Sequence, residues 1–340
     1  MRIVLGITAP ITVALGIAFL GVHAAAEDPW VVYDNFDGPG DGKHVVLITG
    51  EELYRSEEAF PQLGKILAQR HGFTCTVLFP VDPDTGTINP NVNDNIPGLE
   101  ALETADLMIF YTRYRNLPEE QMAHIDAYLE SGRPVIGMRT SVAAFDLPED
   151  HAYHHYTFDS EAEGWEGGFG QRILGETWIA NQGAAGSEGT RGVIVEDQAD
   201  HPILRGVSDI FGPTQTYEVR LPLPGGGTPL LLGEVVDGTD PDDPPVEGEK
   251  NDPMMPVAWT GTYAAPGGGE GRVFTTTMGD ATDFVKEDFR RLLVNAAYWA
   301  VGLEEEIPAE ANVAIVGEYD PSTWGFDGFI DGVTPSDHAL

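Results

Sequence analysis

The sequence predicts an α/β protein with a mostly parallel central sheet, because strand-like and helix-like segments alternate along the first half of the chain. The strand-like segments are apolar runs without polar alternation, which is typical of strands covered on both faces. They lie at 44–49, 73–79, 105–112 and 134–138. Helical segments follow the first and third runs, and this order predicts parallel strands joined by right-handed crossovers.

Three helices are predicted from apolar stripes and from end signals. Ser56–His71 carries apolar side chains at helical spacing. The second helix begins at Pro118, where the fixed φ of proline suits a first turn, and it ends at Gly132. The third helix is predicted over Phe284–Val301, with Val285 on its apolar face.

Strand-like segments return in the second half, after a Gly-, His- and aromatic-rich region at 145–192. They lie at 193–195, 230–232, 257–259 and 272–277. One short helix is expected near 169–178. Glycine triplets at 225–227 and 267–269 indicate hairpins or loops, because neither joins a strand to a phosphate-binding helix.

The N-terminal segment has the pattern of a signal peptide. Arg2 precedes a mostly apolar run at 3–22, and Ala24–Ala26 offers a small-residue cleavage site before Glu27. The alternative is an uncleaved membrane anchor, since about 20 apolar residues can span a bilayer. We predict a signal peptide at 1–26 and a mature protein exported to the periplasm or the outside of the cell.

Composition divides the mature chain into three regions. We predict an irregular N-terminal arm at 27–43, an α/β domain at 44–303 and an extended C-terminal tail at 304–340. The tail is rich in Gly, Pro and Asp and offers little material for a core.

Charge and cysteine content limit the chemistry and the partners. The chain has 55 acidic and 18 basic residues, for a net charge of −37, and such a surface repels nucleic acid and anionic membranes. We therefore expect no nucleic-acid partner and no membrane partner after signal cleavage. The single cysteine, Cys75, excludes an internal disulfide, and its apolar surroundings favour a core thiol over a nucleophile. The oligomeric state stays open, with a homo-oligomer among the alternatives.

Candidate functional residues follow the strand ends, where ligands bind in open α/β sheets. These residues are Glu51, Tyr54, Arg55, Arg113, Arg139 and Asp280. Arginines clustered on an acidic protein can bind an anion, a carbonyl or a sugar hydroxyl, and the alternative is local pairing with carboxylates such as Glu52. Glu51 or Asp280 could transfer protons if burial raises its pKa.

Other chemistries find less support. In amidotransferase-like α/β proteins the bend after the fourth strand presents a catalytic cysteine, but Arg139 stands here and cannot attack a carbonyl. Ser141 lacks a surrounding G-x-S-x-G, so a serine hydrolase is a weaker alternative. The histidines within 151–155 lack metal-ligand spacing, and we predict neither a metal nor a cofactor. Trp178 and Trp259 could stack on a sugar face, although Trp is more often a core residue.

Several segments together resemble one known family. They include GEELYRSEE at 50–58, the bend at 137–139, 168–170, 174–178, 200–206, 251–259 and 272–279. These segments resemble the ThuA-like (trehalose-utilisation) family, and within it the secreted proteins of planctomycete-type bacteria. The resemblance covers most of the mature chain from about His44. It implies a class I glutamine-amidotransferase-like (flavodoxin-like) three-layer sandwich without the amidotransferase triad, and an association with sugar catabolism that includes keto-disaccharides.

The chain departs from the pattern of that family at two places. ThuA-like domains often have histidine at the bend, where Arg139 stands, and relatives often carry a histidine-rich stretch where this chain has Ile179–Gly186. If histidines perform acid–base work or bind metal in the relatives, this chain lacks that step.

The leading hypothesis is an exported protein that processes a small carbohydrate, with an arginine/carboxylate cleft and no cysteine nucleophile. Its predicted catalytic residues are Arg139, Glu51 and Asp280. Its predicted substrate-binding residues are Arg55, Arg113, Tyr54, Trp178 and Trp259. The alternative is a non-catalytic sugar-binding or protein-interaction module on a retired amidotransferase-like scaffold.

Overall fold

The computed structural model describes residues 28–265 and 268–340, so the predicted signal peptide at 1–26 lies outside the described residues. Over those two ranges, none of the helices combines the length and the hydropathy that crossing a bilayer requires.

One ten-stranded sheet forms the centre of the fold, and a two-stranded ribbon lies beside it. The strands are β1 (Trp30–Tyr33), β2 (His44–Gly50), β3 (Thr74–Leu78), β4 (Leu107–Thr112), β5 (Val135–Met138), β6 (Asn181–Gln182), β7 (Gly189–Ile194), β8 (Ile210–Gly212), β9 (Thr216–Tyr217), β10 (Thr228–Val236), β11 (Met255–Ala264) and β12 (Glu270–Thr276). The α-helices are α1 (Ser56–His71), α2 (Glu119–Glu130) and α3 (Glu287–Ala300). The order in the main sheet is β1-β3-β2-β4-β5-β12-β11-β10-β7-β8, and β6 pairs with β9.

The α/β prediction is confirmed, but the sheet is mixed rather than mostly parallel. Strands β3, β2, β4, β5 and β12 run parallel to their neighbours within this group. Every other pairing in the main sheet is antiparallel. Where consecutive strands pair antiparallel, no α-helix lies between them, whereas a parallel crossover needs a dozen or more residues and usually a helix. Only a short loop joins β11 to β12, which therefore form a hairpin.

Helices cover both faces of the parallel half, which gives three layers. Val45 and Leu47 of β2 belong to the hydrophobic core that contains side chains of α1 and α3. Val46 and Ile48 of the same strand belong to the core that contains side chains of α2. Successive side chains of a strand point to opposite faces, so one continuous apolar run supplies both cores.

The third helix begins later than the sequence pattern predicts. A 3-10 turn at Ala281–Val285 precedes α3, and the Asp280 side chain caps that turn. Val285, predicted to lie on the apolar face, is 57% exposed. Because the capped turn ends before α3 begins at Glu287, Val285 is not part of the helix. Its spacing from the buried residues of α3 therefore does not place it on their apolar face.

Both chain ends contain more ordered structure than their composition suggests. The arm predicted to be irregular contains β1, which pairs with β3 at the edge of the sheet. The C-terminal tail buries Ile307, Ala311, Val313 and Val316 in the core with α1 and α3. These apolar residues have neither helical nor strand periodicity, which is why the composition of the tail concealed them.

Candidate functional site

A cleft of about 300 Å³ opens at the carboxyl ends of the parallel strands. Its lining residues come from the loops after β2, β4 and β5, from the segments around β6 and β9, and from the C-terminal tail. They are Leu53, Tyr54, Arg113, Tyr114, Thr140, Ala143, Trp178, Asn181, Ala185, Gln215, Tyr217, Trp324 and Phe326. The position agrees with the general location of ligand sites in open α/β sheets.

The loop after β2 turns sharply and places Tyr54 over the cleft. The Ser56 hydroxyl accepts hydrogen bonds from the backbone N–H groups of Gly50 and Glu51, both at 3.1 Å. Gly50 has φ 152°, and a Cβ there would lie 3.1 Å from the Arg115 side chain. Arg55 then adopts a left-handed φ of 62° immediately before α1. The turn therefore depends on local hydrogen bonds and on close packing rather than on a regular element.

Arg139 stands at the bend after β5, but its side chain is fully buried. Its backbone is left-handed, with φ 48°. The guanidinium donates to the carbonyl oxygens of Thr277 at 3.3 Å and Gln215 at 2.9 Å. Its central carbon lies 3.6 Å from the centre of the Tyr54 ring. Arg139 therefore lies behind the residue that faces the cleft, and its direct contact with a ligand stays a prediction.

Glu51 is a fully buried carboxyl group next to this arginine. One oxygen accepts the backbone N–H groups of Leu53, at 3.0 Å, and Tyr54. The other oxygen has no hydrogen-bond partner among the described residues. Burial, assisted by the neighbouring Glu52, raises the pKa of Glu51 to about 7, against the hydrogen bond from the Tyr54 N–H and the charges of Arg113 and Arg139. The group can therefore hold or release a proton near neutral pH.

Asp280 lies in the same electrostatic cluster and has a structural task. Burial raises its pKa, while the charge of Arg139 opposes that shift. One carboxyl oxygen accepts the backbone N–H of Thr282 at 2.8 Å and so caps the 3-10 turn. Asp280 is fully buried. Its predicted proton-transfer role stays a prediction.

The arginines predicted to cluster are divided between the cleft and local ion pairs. Arg113 lines the cleft and pairs with Glu52, while the Arg115 guanidinium lies 3.2 Å from the other oxygen of Glu52. Arg55 is 1% exposed and donates to the Gly325 carbonyl at 2.6 Å. Local pairing therefore accounts for part of the cluster, and Arg113 is the arginine that a ligand in the cleft would meet.

The two predicted tryptophans have different positions. Trp178 lines the cleft and is 36% exposed, so a ring face is available there. Trp259 is fully buried, and its indole N–H donates to the Leu174 carbonyl at 2.8 Å. The Trp259 ring belongs to the core and offers no face to a ligand in this conformation.

Several cleft residues escaped the sequence analysis, and four of them lie in two segments far along the chain. Gln215 and Tyr217 come from the β8–β9 segment, and Trp324 and Phe326 come from the tail. The Trp-Gly-Phe triplet at 324–326 was the available signal, because two large aromatic residues stand there in an otherwise Gly- and Asp-rich segment.

Polar groups without partners accumulate at the same place. The Thr140 hydroxyl, the Gln215 amide oxygen and the Tyr217 hydroxyl have no hydrogen-bond partner within residues 28–265 and 268–340. All three residues line the cleft. Buried polar atoms are normally paired, so these three groups, which are themselves almost inaccessible to solvent, keep unused hydrogen-bonding capacity beneath the cleft surface.

The part of the chain that the structure describes contains no group of three His, Cys, Asp or Glu residues that could hold a metal ion. Of the histidines within 151–155, His151 lies 3.0 Å from the Leu117 carbonyl oxygen and His154 lies 2.8 Å from that of Leu147. These two rings therefore have structural partners.

The fold and cleft define an α/β protein with a cleft at the carboxyl edge of the parallel part of its sheet. The chain belongs to the ThuA family (trehalose utilisation), whose family model matches residues 45–300. A comparison with curated proteins finds no match.

Among solved structures, the chain is similar to a protein described as ThuA-like from Bacteroides uniformis ATCC 8492. The identity is 17%, the TM-score is 0.46, and the match covers 77% of this chain and 92% of that one. A protein described in the same way from Parabacteroides merdae ATCC 43184 matches with 16% identity, a TM-score of 0.44 and coverages of 76% and 90%. The exo-β-1,4-mannosidase Op5Man5 from Opitutaceae bacterium strain TAV5 matches with 11% identity, a TM-score of 0.27 and coverages of 76% and 36%.

Proposed function

We propose that this protein is exported and that it binds and processes a small saccharide, either a disaccharide or a keto-sugar, in the cleft at the carboxyl edge of the sheet. The observation that carries the proposal is the mixture of aromatic faces and unpaired polar groups in one cleft. Trp178 and Tyr114 line it with partly exposed rings. Tyr54, Tyr217, Thr140 and Gln215 line it as well but are largely buried. A sugar ring has apolar C–H faces and a rim of hydroxyl groups, so it complements both kinds of surface.

Size and charge also support a neutral, hydroxyl-rich ligand. A volume of about 300 Å³ lies at the lower end of the range for small-molecule sites. The net charge of −37 disfavours polyanionic ligands by long-range repulsion. Arg113 can still donate to a hydroxyl or carbonyl oxygen, because its hydrogen bond to Glu52 uses one of the five N–H donors of the guanidinium.

Glu51 is the proposed general acid. Its buried carboxyl has a pKa raised to about 7 and one oxygen without a partner among the described residues. We assign Arg139 a supporting role, since its guanidinium lies against Tyr54 and its charge opposes the rise in the pKa of Glu51. Proton transfer by a positioned carboxyl contributes roughly 10²–10⁴-fold to a rate.

A specific observation favours the alternative, a sugar-binding or protein-interaction module without catalysis on a retired amidotransferase-like scaffold. Arg139 donates to two backbone carbonyls, and Asp280 caps a turn. All three predicted catalytic residues therefore have structural tasks, since Glu51 also accepts the backbone N–H groups of Leu53 and Tyr54. Glu51 and Asp280 each keep one carboxyl oxygen without a partner among the described residues.

The test is NMR-monitored incubation of the protein with trehalose, other disaccharides and their 3-keto derivatives, using wild type and Glu51→Gln. We expect Glu51→Gln to lower turnover by roughly 10²-fold or more, because the amide cannot give up a proton. Wild-type turnover should fall as the pH rises above about 7, since the carboxyl then loses its proton, and the variant should lack that dependence.

Glu57→Gln is the matched control. Glu57 is also a buried glutamate, with a pKa raised to about 8 by burial, but it borders a different cavity, with Ile88 and Ile330. Glu51 does not line the cleft itself but lies directly under it, because it accepts the backbone N–H groups of the cleft residues Leu53 and Tyr54. The Glu57→Gln variant should keep turnover within a few-fold of wild type. Equal turnover by wild type and Glu51→Gln would remove Glu51 from the mechanism. Line broadening without turnover would favour the binding module, and no effect of any sugar would contradict both saccharide hypotheses.

A further inference from the structure

The C-terminal tail forms part of the cleft wall, although it lies beyond the residues 45–300 that the family model matches. Trp324 and Phe326 line the cleft together with residues of the α/β domain. The centres of the Trp324 and Tyr54 rings are 6.4 Å apart. On its other side, the Trp324 ring lies next to Gly186, where an added Cβ would be 3.3 Å from the ring. Trp324 therefore bridges the loop after β2 and the segment after β6.

Two hydrogen bonds fix the residue between these aromatic side chains. The Gly325 N–H donates to the Leu53 carbonyl at 2.8 Å, and the Gly325 carbonyl accepts from the Arg55 guanidinium at 2.6 Å. Gly325 has φ 150°, and a Cβ on Gly328 would lie 2.0 Å from the same guanidinium. The tail therefore has a defined position against the β2 loop, and Arg55 holds it there.

Core packing does not account for Phe326. Its side chain is 60% exposed. The backbone of the preceding residue, Gly325, is held in place by its hydrogen bond from Arg55. The Arg113 guanidinium lies 5.4 Å from the centre of the Phe326 ring and 4.4 Å from that of Tyr114. Phe326 therefore extends the cleft surface outward, next to the arginine that a ligand would meet.

We propose that Trp324 and Phe326 form a second ring-binding subsite, so that the cleft prefers a saccharide of at least two rings over a monosaccharide. This inference rests on the proposed function. One ring lies among Tyr54, Trp178 and the unpaired polar groups of the floor, and the next ring stacks against the tail. Arg55 is a positioning residue for this subsite, because it contacts the tail backbone and does not line the cleft.

The test compares the affinities of trehalose, cellobiose and glucose by isothermal titration calorimetry, for wild type, Trp324→Ala and Phe326→Ala. Each substitution should weaken disaccharide binding by roughly tenfold and leave glucose binding within about twofold, because only the second ring loses its aromatic contact. Ile330→Ala is the matched control, since Ile330 is an apolar tail residue that is 57% exposed and lies outside the cleft. It should change neither affinity.

The outcomes separate this inference from the proposed function. Wild type that binds none of the three sugars, and none of their 3-keto derivatives, overturns both. Wild type that binds sugars, with an unchanged ratio of disaccharide to glucose affinity in Trp324→Ala and Phe326→Ala, overturns only the subsite.

The role of Arg55 is tested with the same ratio. Arg55→Met removes the donor to Gly325 and should lower the disaccharide preference, and Arg55→Lys should restore part of it by donating a single hydrogen bond. General damage to the fold would lower the affinities for glucose and for disaccharides together. An unchanged ratio in Arg55→Met would overturn the positioning role.

Discussion

For Arg139, the sequence predicts the position of the residue in the fold but not the direction of its side chain. Its place at the strand-end bend was predictable from the chain, because the buried strand before it is a clear apolar run. Its orientation was not, because burial of the guanidinium depends on carbonyl oxygens of Thr277 and Gln215, which are far away in sequence. A buried charge of this kind is retained only where several groups satisfy it at once.

Arg139→Lys should therefore lower the free energy of unfolding by about 2 kcal/mol, because a lysine cannot reproduce the planar fork that reaches both carbonyls. Urea unfolding followed by circular dichroism measures the change. Arg172→Lys is the control, since Arg172 is exposed and should shift the value by less than about 0.5 kcal/mol. Equal stabilities of Arg139→Lys and wild type would mean that the buried guanidinium contributes nothing specific to the fold.

At the scale of single elements, predictions succeed where the end signal is local. Helix α1 has the predicted bounds, because Gly72 takes the left-handed conformation that ends it, with φ 79°. Helix α3 starts late because the capping of Ala281–Val285 by Asp280 outweighs the apolar spacing.

The cleft residues also divide into those with a local signal in the sequence and those without one. Tyr54, Arg113 and Trp178 stand near predicted strand ends or in a marked motif, whereas the tail aromatics reach the cleft only through tertiary packing.

The late start of α3 predicts unequal effects of two substitutions. Val285→Ser should change the free energy of unfolding by less than about 0.5 kcal/mol, because the side chain is 57% exposed. Leu292→Ala should cost roughly 2–5 kcal/mol, because that side chain is fully buried. Urea unfolding of both variants measures the difference. A large loss in Val285→Ser would mean that the helix packs from Phe284 onward, as the sequence pattern suggests.

At the scale of the whole molecule, the sequence predicts the parallel part of the sheet but not the pairing of the antiparallel strands. Alternating strands and helices determine the parallel group, since each crossover has enough chain to return over the sheet. The antiparallel group depends on hairpins such as β11–β12, and apolar runs alone do not distinguish a hairpin strand from a parallel one. The strongest global property, a net charge of −37, follows directly from the residue counts and acts on every element at once.

That charge predicts that salt stabilises the folded chain. Self-repulsion among carboxylates opposes the compact state, and the screening length falls from about 10 Å at 0.1 M salt to about 3 Å at 1 M. The urea midpoint at pH 7 should therefore rise between 0.1 M and 1 M NaCl. The rise should shrink as the pH approaches the sequence pI of about 4.2, where protonation removes the repulsion without salt. A midpoint that does not rise at pH 7 would mean that the uncompensated carboxylates lie too far apart for their repulsion to limit stability, since 18 basic residues cannot neutralise 55 acidic ones.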